Sequence, residues 1–330
     1  MVKIRFRFIV CFLSVLIVAP VVSGNAWAET QIVYRLKWIR NMSTVGDIYA
    51  VVHGVFSQHG LDVVVKPGGP EIDAIRELEL GQADFGVASA DQVIRAAAKG
   101  SPVVVIAQLF QANPLQWIYR PDRSNVLQPQ DLIGKTLGVT FGKNDEIIMR
   151  TLLAKARIRD DQVRLFSVRL DYTPFFKGTV DLWPVYINTQ GVELRQRLMA
   201  AGEKIAFFDP NAHGVRFVAN SVVTTRDKLN RSPDMVRRFQ RALLTGWRQA
   251  LDPANAEKAI RAVRKFDLDT KIEILAEQLA RTRKLILPDD NVVLGAIDHN
   301  AWRQTESMMR IHKQIAQPVD IGSRLIDLDR

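Results

Sequence analysis

Cysteine is almost absent from this chain of 330 residues, since Cys11 is its single occurrence. Cys11 lies in an uncharged, predominantly apolar run, residues 8–22, which follows three basic residues and precedes the small-x-small sequence Ala26-Trp27-Ala28. This order is typical of a secretory signal peptide and predicts cleavage after Ala28. The remaining residues, 29–330, contain no cysteine, which excludes disulfides, thiolate nucleophiles and cysteine-ligated metals from the mature protein.

Long hydrophobic runs are lacking beyond the predicted signal peptide, residues 1–28. No later segment approaches the roughly 20 apolar residues that a membrane-spanning helix needs. Cys11 also follows Val10, whereas a lipoprotein signal has a small residue before its cysteine. We therefore predict a periplasmic protein, exported through a cleavable signal peptide and without a lipid anchor.

Motifs of catalysis and of cofactor binding are lacking as well. No Gly-x-Ser-x-Gly nucleophile elbow occurs, and Gly134-Lys135-Thr136 cannot end a phosphate-binding loop because Pro129 stands where that motif needs a glycine. The histidines show no ligand spacing such as i, i+4 on one helix; they are His53, His59, His213, His299 and His312. The sequence therefore predicts a binding protein and not an enzyme, with no cofactor and no metal.

Positive charge is plentiful, with a formal net charge of +10, but it is not concentrated. The excess is spread along the chain, mostly as arginines in helical segments such as residues 233–251. No basic block is interleaved with aromatic residues, so the composition predicts a solvated basic surface and no nucleic-acid partner.

Strand and helix patterns alternate along most of the sequence, which predicts α/β lobes with parallel sheets. Two extended apolar segments, 115–119 and 215–224, interrupt this order and are predicted to cross between two lobes. Lobe 1 is predicted from 29–115 and 220–330, and lobe 2 from 116–219, with a hinge and a ligand cleft between them. The predicted strands are 31–38, 61–66, 84–88, 102–108, 136–140, 162–168, 179–186 and 204–208, and the predicted helices include 44–58, 71–80, 90–99, 145–156 and 190–201.

One turn stands where α/β proteins bind small molecules. The buried strand 84–88 runs directly into Ser89, a good N-cap for the helix 90–99, while Gly81 can end the preceding helix. The carboxyl end of a strand in an open α/β sheet is a common ligand position. An ordinary capped turn explains the same residues equally well.

Five blocks of sequence carry a family likeness. They are KWIRNMSTVGDIYAVVHGVFSQHGLDVVV at 37–65, PGG at 67–69, LGQADFGVASADQVIRAAAKGSPVVVIAQLFQ at 80–111, DLIGKTLGV at 131–139 and VDLWPVYINTQGVELRQRL at 180–198. Together they resemble the periplasmic solute-binding proteins of nitrate/sulfonate/taurine-type ABC importers, most closely the branch that binds thiamine pyrimidine precursors. The resemblance implies a type II periplasmic-binding fold, in which two lobes close on a ligand and deliver it to a membrane permease.

The resemblance also implies a set of ligand-binding residues. An indole ring such as that of Trp38 would stack on a flat heteroaromatic ring, and the side-chain amides of Asn41 and Asn188 would pair with ring nitrogens. Glu146 would suit an amino group of the ligand. Asp145 and Glu146 form an adjacent pair at a predicted helix start, where the helix dipole favours carboxylates, so a structural role explains both as well as an acid–base role does. From this resemblance we predict eight ligand-binding residues: Trp38, Asn41, Ser89, Asn144, Glu146, Trp183, Tyr186 and Asn188.

Two departures from the branch leave alternatives open. Thr44 stands where the branch has a histidine, and Gln190 stands where an acidic residue is usual. A small sulfonate, taurine or nitrate-type anion is therefore an alternative ligand, for which Lys143 would be a suitable cation. A ligand-sensing subunit for a membrane receptor and a pyrimidine-synthase enzyme are alternative functions. The predicted partners are a small-molecule ligand and an ABC-type permease, and the predicted state is a monomer.

Overall fold

The computed structural model describes Val2 and residues 31–328 of the chain. The predicted signal peptide, with its apolar run and Cys11, lies outside the described residues. From Gln31 onward the chain forms one unit, and this unit contains two five-stranded β-sheets.

The strands are short and alternate with helices. In chain order they are β1 Ile32–Arg35, β2 Val63–Lys66, β3 Phe85–Ala88, β4 Val103–Gln108, β5 Leu115–Tyr119, β6 Thr136–Val139, β7 Arg164–Ser167, β8 Leu182–Tyr186, β9 Ala206–Phe208 and β10 Ser221–Thr225. The helices are α1 Val45–Val52, α2 Val55–Gln58, α3 Ala74–Glu79, α4 Ala90–Ala98, α5 Asn144–Lys155, α6 Thr173–Phe176, α7 Gln190–Ala200, α8 Arg226–Arg231, α9 Pro233–Leu251, α10 Ala256–Arg264, α11 Ile272–Ile286 and α12 His299–Ile311.

Each sheet mixes parallel strands with strands that arrive from the other sheet. The first sheet has the order β2-β1-β3-β10-β4 and the second has the order β7-β6-β8-β5-β9. Strand β1 is parallel to β2 and β3, and β6 is parallel to β7 and β8. The chain therefore passes from the first sheet to the second before β5 and returns before β10.

Strands β5 and β10, which follow the two crossings between the sheets, differ from the predicted parallel arrangement. Strand β10 is antiparallel to β3 and β4, and β5 is antiparallel to β8 and β9. The prediction of parallel sheets was therefore wrong for these strands. Each enters its sheet from the other one, without the crossover helix that makes consecutive strands of one sheet parallel.

The predicted helix over 44–58 is divided in the structure. A 3-10 turn, Met42–Thr44, precedes α1, and α2 begins after Gly54, whose φ of 65° is left-handed. A helix interior excludes that conformation, and glycine adopts it without steric cost. The segment therefore contains three short pieces where the apolar spacing indicated one helix.

The first sheet is covered by a core that depends on close approach between α1 and α9. Phe239 of α9 stacks on Phe85 of β3, with ring centroids 3.7 Å apart and an interplanar angle of 2°. At Gly46 of α1, an added Cβ would lie 2.0 Å from the ring of Trp247. Only glycine therefore allows this helix to lie against the indole of α9.

In the part of the chain that the structure describes, no helix is long and apolar enough to cross a membrane. Among the same residues, no group of three or more His, Cys, Asp or Glu side chains is placed so that it could hold a metal ion.

Candidate functional site

A cleft between residues of the two sheets is the candidate site. It contains about 1010 Å³ of atom-free space, including the part that opens to solvent. The side of the first sheet contributes Lys37, Trp38, Asn41, Ser43, Thr44, Asp47, Val87, Gln92, Leu109 and Asn220. The side of the second sheet contributes Leu115, Thr140, Lys143, Asn144, Asp145, Val168, Arg169, Leu170, Tyr172, Trp183, Pro184, Val185, Tyr186, Thr189 and Gln190.

Trp38 reaches the cleft from the loop that follows β1. The backbone N–H of Gly68 donates to the Trp38 carbonyl at 2.8 Å, and an added Cβ at Gly68 would lie 2.3 Å from the carbonyl oxygen of Leu36. The glycine of the PGG turn therefore permits the close approach that fixes this loop. The indole Nε1 of Trp38 is buried and has no hydrogen-bond partner within the protein, so the side chain presents both a ring face and a free donor.

Tyr186 stands at the end of β8, on the opposite side of the cleft. Its hydroxyl accepts a hydrogen bond from Lys37 Nζ at 3.0 Å and donates to Asn220 Oδ1 at 3.4 Å. Trp183, three residues earlier, is in the lining but is 2 % exposed and packs at 5.5 Å from the ring of Tyr172. Aromatic side chains therefore line the side of the cleft that belongs to the second sheet. The Tyr186 hydroxyl connects this side to Lys37 and Asn220 on the side of the first sheet.

Two residues of the cleft lining at the start of α5 carry unsatisfied polar atoms. Asn144 and Asp145 are buried, and neither Asn144 Nδ2 nor Asp145 Oδ1 has a hydrogen-bond partner within the protein. The other carboxylate oxygen of Asp145 accepts from the backbone N–H of Thr140 at 2.7 Å. Burial raises the pKa of Asp145 to about 6, against the lowering effect of that N–H. Buried polar atoms without partners are rare in folded proteins, so these two atoms are candidates for hydrogen bonds to a ligand.

Asp47 of α1 contributes a second buried carboxyl to the lining. Its Oδ1 accepts from Tyr34 Oη at 2.8 Å and from Trp247 Nε1 at 3.3 Å. Burial raises the pKa of Asp47 to about 7, although both hydrogen bonds lower it. The carboxyl is therefore held in place by β1 and α9, and it is partly protonated near neutral pH.

Five of the eight residues that the resemblance implies lie in the lining of the cleft: Trp38, Asn41, Asn144, Trp183 and Tyr186. Asn41 serves the local backbone too, because its Oδ1 accepts from the Ser43 N–H at 2.9 Å and caps the following turn. Contact with a ligand stays a prediction for all eight.

Ser89, Glu146 and Asn188 are placed outside that lining, and each has partners of its own. Ser89 Oγ donates to Asp91 at 2.6 Å. Glu146 accepts from the Gly142 N–H at 2.7 Å and from Arg150 Nε at 2.8 Å. The side-chain amide of Asn188 is fully buried and donates to Ser43 Oγ at 3.1 Å and to Thr282 Oγ1 at 2.8 Å. These three side chains therefore support the structure around the cleft, although Asn188 Oδ1 is, like Asn144 Nδ2 and Asp145 Oδ1, buried without a hydrogen-bond partner.

Sequence reasoning overlooked several polar residues of the cleft. It gave the acidic role at the start of α5 to Glu146, whereas the carboxyl that lines the cleft is that of Asp145. Glu146, the next residue along α5, is instead engaged with the Gly142 N–H and with Arg150. Asp47 and Lys37 lay inside the block 37–65 and carried no signal of their own. Their roles depend on contacts with Trp247 and Tyr186, which are distant in the sequence.

Three comparisons place the chain among known proteins. The family described as NMT1/THI5 like matches residues 41–256. A formylaminopyrimidine-binding protein of Halalkalibacterium halodurans is 24% identical over 324 residues, covering 95% of this chain and 96% of the relative. A riboflavin-binding protein, RibY, of Chloroflexus aurantiacus is 25% identical over 312 residues, covering 88% of this chain and 83% of the relative.

Among solved structures, the periplasmic aliphatic sulphonate binding protein SsuA of Escherichia coli has the same architecture. It superposes with a TM-score of 0.68 at 15% identity, covering 90% of this chain and 92% of that one. A likeness at this identity shows the fold. The prediction of a two-lobed periplasmic-binding fold is thereby confirmed.

Proposed function

Since this chain belongs to the NMT1/THI5-like family, we propose that it is the substrate-binding component of an ABC importer. Its ligand is a small heteroaromatic compound of the thiamine-pyrimidine-precursor class, bound in the cleft and delivered to a membrane permease. The protein acts in the periplasm as a monomer. Its lobes are 29–115 with 220–330, and 116–219, and they close around the ligand by a hinge at the two chain crossings.

The observation that carries this proposal is the set of unpartnered polar atoms beside aromatic rings. Trp38 Nε1 and Asn144 Nδ2 are donors, and Asp145 Oδ1 is an acceptor, and all three are buried without partners in the protein. A nitrogen heterocycle with an amino substituent supplies the matching acceptors and donor. Its flat faces match the rings of Trp38 and Tyr186.

The two named relatives support the same ligand class. One is named for binding a formylaminopyrimidine and the other for binding riboflavin, and both names denote nitrogen heterocycles. The contacts that we propose in this chain are Trp38, Asn41, Asn144, Trp183 and Tyr186. Ser89, Glu146 and Asn188 support the structure around the cleft through their contacts within the protein.

The test combines mass spectrometry with a thermal-shift screen on protein purified as residues 29–330. Mass spectrometry identifies any small molecule that co-purifies. The screen compares aminopyrimidines with taurine, alkanesulfonates and nitrate. A ligand at 100 times its dissociation constant stabilises the folded state by about 2.7 kcal/mol, which such a screen detects. Stabilisation by sulfonates or nitrate, with none by pyrimidines, refutes the proposed ligand class.

Two further measurements separate the function from its alternatives. A pyrimidine-synthase enzyme consumes material and releases a product, whereas a binding protein returns its ligand unchanged, which mass spectrometry of the bound ligand distinguishes. A receptor-sensing subunit would bind its ligand equally well but would not support uptake. Loss of uptake of the labelled ligand on deletion of the gene supports the importer role.

A further inference from the structure

Two lysines face the cleft from opposite sides. Lys37 lies on the loop after β1, directly before Trp38, and Lys143 is the N-cap residue of α5, directly before Asn144. Both are in the lining of the cleft. Each therefore directly precedes, in the sequence, a residue that carries one of the unpartnered donors.

Both ammonium groups donate to uncharged oxygens. Lys37 Nζ donates to the Tyr186 hydroxyl at 3.0 Å, and Lys143 Nζ donates to the carbonyl of Ile72 at 2.8 Å. Among the residues that the structure describes, no carboxylate lies within ion-pair distance of either lysine. A third cation of the lining, Arg169, differs in this respect because it pairs with Glu71 at 2.7 Å.

The charge of Lys37 affects Lys143. Burial lowers the pKa of Lys143 and the charge of Lys37 lowers it further, while the charges of Asp73 and Glu71 act in the opposite direction. Two like charges in one partly desolvated cleft are unfavourable, and an anion bound near both would reduce that cost. The N-terminal end of α5 adds a positive potential at the same place.

We propose that Lys37 and Lys143 form an anion subsite, which binds a carboxylate or phosphate substituent carried by the heteroaromatic ligand. This inference rests on the proposed function, and it narrows the proposed ligand class to heteroaromatic compounds that carry a negative charge. Because the lysines belong to opposite sides of the cleft, the anion joins the two sides directly. The ring occupies the space between Trp38 and Tyr186, and the oxyanion group accepts from both ammonium groups.

The test compares two ligands that differ only in charge, 4-amino-2-methylpyrimidine-5-carboxylate and the corresponding 5-carboxamide. Isothermal titration calorimetry measures both with the unmodified chain and with the variants Lys37→Met and Lys143→Met. We expect the chain to prefer the carboxylate, and each variant to lose about 10-fold or more in affinity for it. Affinity for the carboxamide should change by no more than about twofold.

Two kinds of control separate charge from structure. Lys37→Arg and Lys143→Arg keep the positive charge and should retain the preference for the carboxylate. Lys204→Met removes an exposed lysine that pairs with Asp122 and should leave both affinities unchanged. A thermal melt of each variant verifies that it is folded.

The outcomes distinguish this inference from the proposed function. If the unmodified chain binds both ligands equally and the methionine variants weaken both alike, the anion subsite is refuted while the ring-binding function stands. If the chain binds neither ligand, the proposed ligand class and the anion subsite are both refuted. Loss of the carboxylate preference in the methionine variants, and its retention in the arginine variants, supports the subsite.

Discussion

The buried carboxyl of Asp47 should make the stability of this protein depend on pH. Its side chain is 1% exposed, and burial raises its pKa from 3.8 to about 7. A carboxyl whose pKa is raised by folding binds a proton more tightly in the folded state. Its contribution to stability is therefore fully present below pH 3.8 and is lost as the pH rises through about 7.

The magnitude follows from the two pKa values. At about 1.4 kcal/mol per unit of pKa, their difference corresponds to about 4 kcal/mol in the free energy of unfolding. About 3 kcal/mol of this stability is lost between pH 5 and pH 8. Asp47→Asn replaces the carboxyl by a neutral group of the same shape. The amide oxygen can still accept from Tyr34 and Trp247, so the variant should keep the packing and lose this pH dependence.

The measurement is urea unfolding from pH 5 to pH 8, with the free energy of unfolding extrapolated to zero denaturant for both proteins. The variant should gain stability over the unmodified chain as the pH rises, by about 3 kcal/mol across this range. Asp290→Asn, at an exposed position, controls for the loss of one negative charge. A constant difference between Asp47→Asn and the unmodified chain would refute the assignment of a buried, proton-binding carboxyl.

Two further predictions concern ligand affinity and packing. Trp38→Ala should weaken binding of the heteroaromatic ligand by at least about 10-fold in calorimetry, because a stacking face is lost. Ser89→Ala should change this affinity by less than about twofold. The reverse order of the two effects would place the selective contact at Ser89. Gly46→Ala should destabilise the protein by about 1–3 kcal/mol or more in urea unfolding, because its methyl group would meet the Trp247 ring. The control is Gly69→Ala, which should change stability far less because a Cβ at this position meets nothing within 4 Å.

Much of the fold could be predicted because its signals are local. The stretch that runs from Gly81 through Ser89 shows this well. Gly81 has a φ of 68°, as the end of a helix requires, and the predicted strand 84–88 and helix 90–99 differ from β3 and α4 by one residue each. Hydrophobic spacing and capping residues determine such elements within a few positions.

The remaining features depend on residues that are distant in the sequence. The antiparallel direction of β10 is set by its partners β3 and β4, and no local pattern encodes it. The same holds within the cleft, where the contact between Lys37 and Tyr186 spans 149 residues. Sequence patterns could therefore indicate which loops face the ligand, but they could not indicate which polar side chains of those loops lack partners.

The contacts between α11 and α7 have a consequence for the response of this protein to salt. Glu277 of α11 pairs with Arg195 of α7 at 2.5 Å, with both side chains partly exposed. The neighbouring Gln278 is buried and donates to Glu193 at 2.8 Å. Dissolved ions screen exposed charge pairs and have little effect on buried hydrogen bonds. Higher ionic strength therefore weakens the contact between Arg195 and Glu277 and leaves the hydrogen bond between Gln278 and Glu193 largely unchanged.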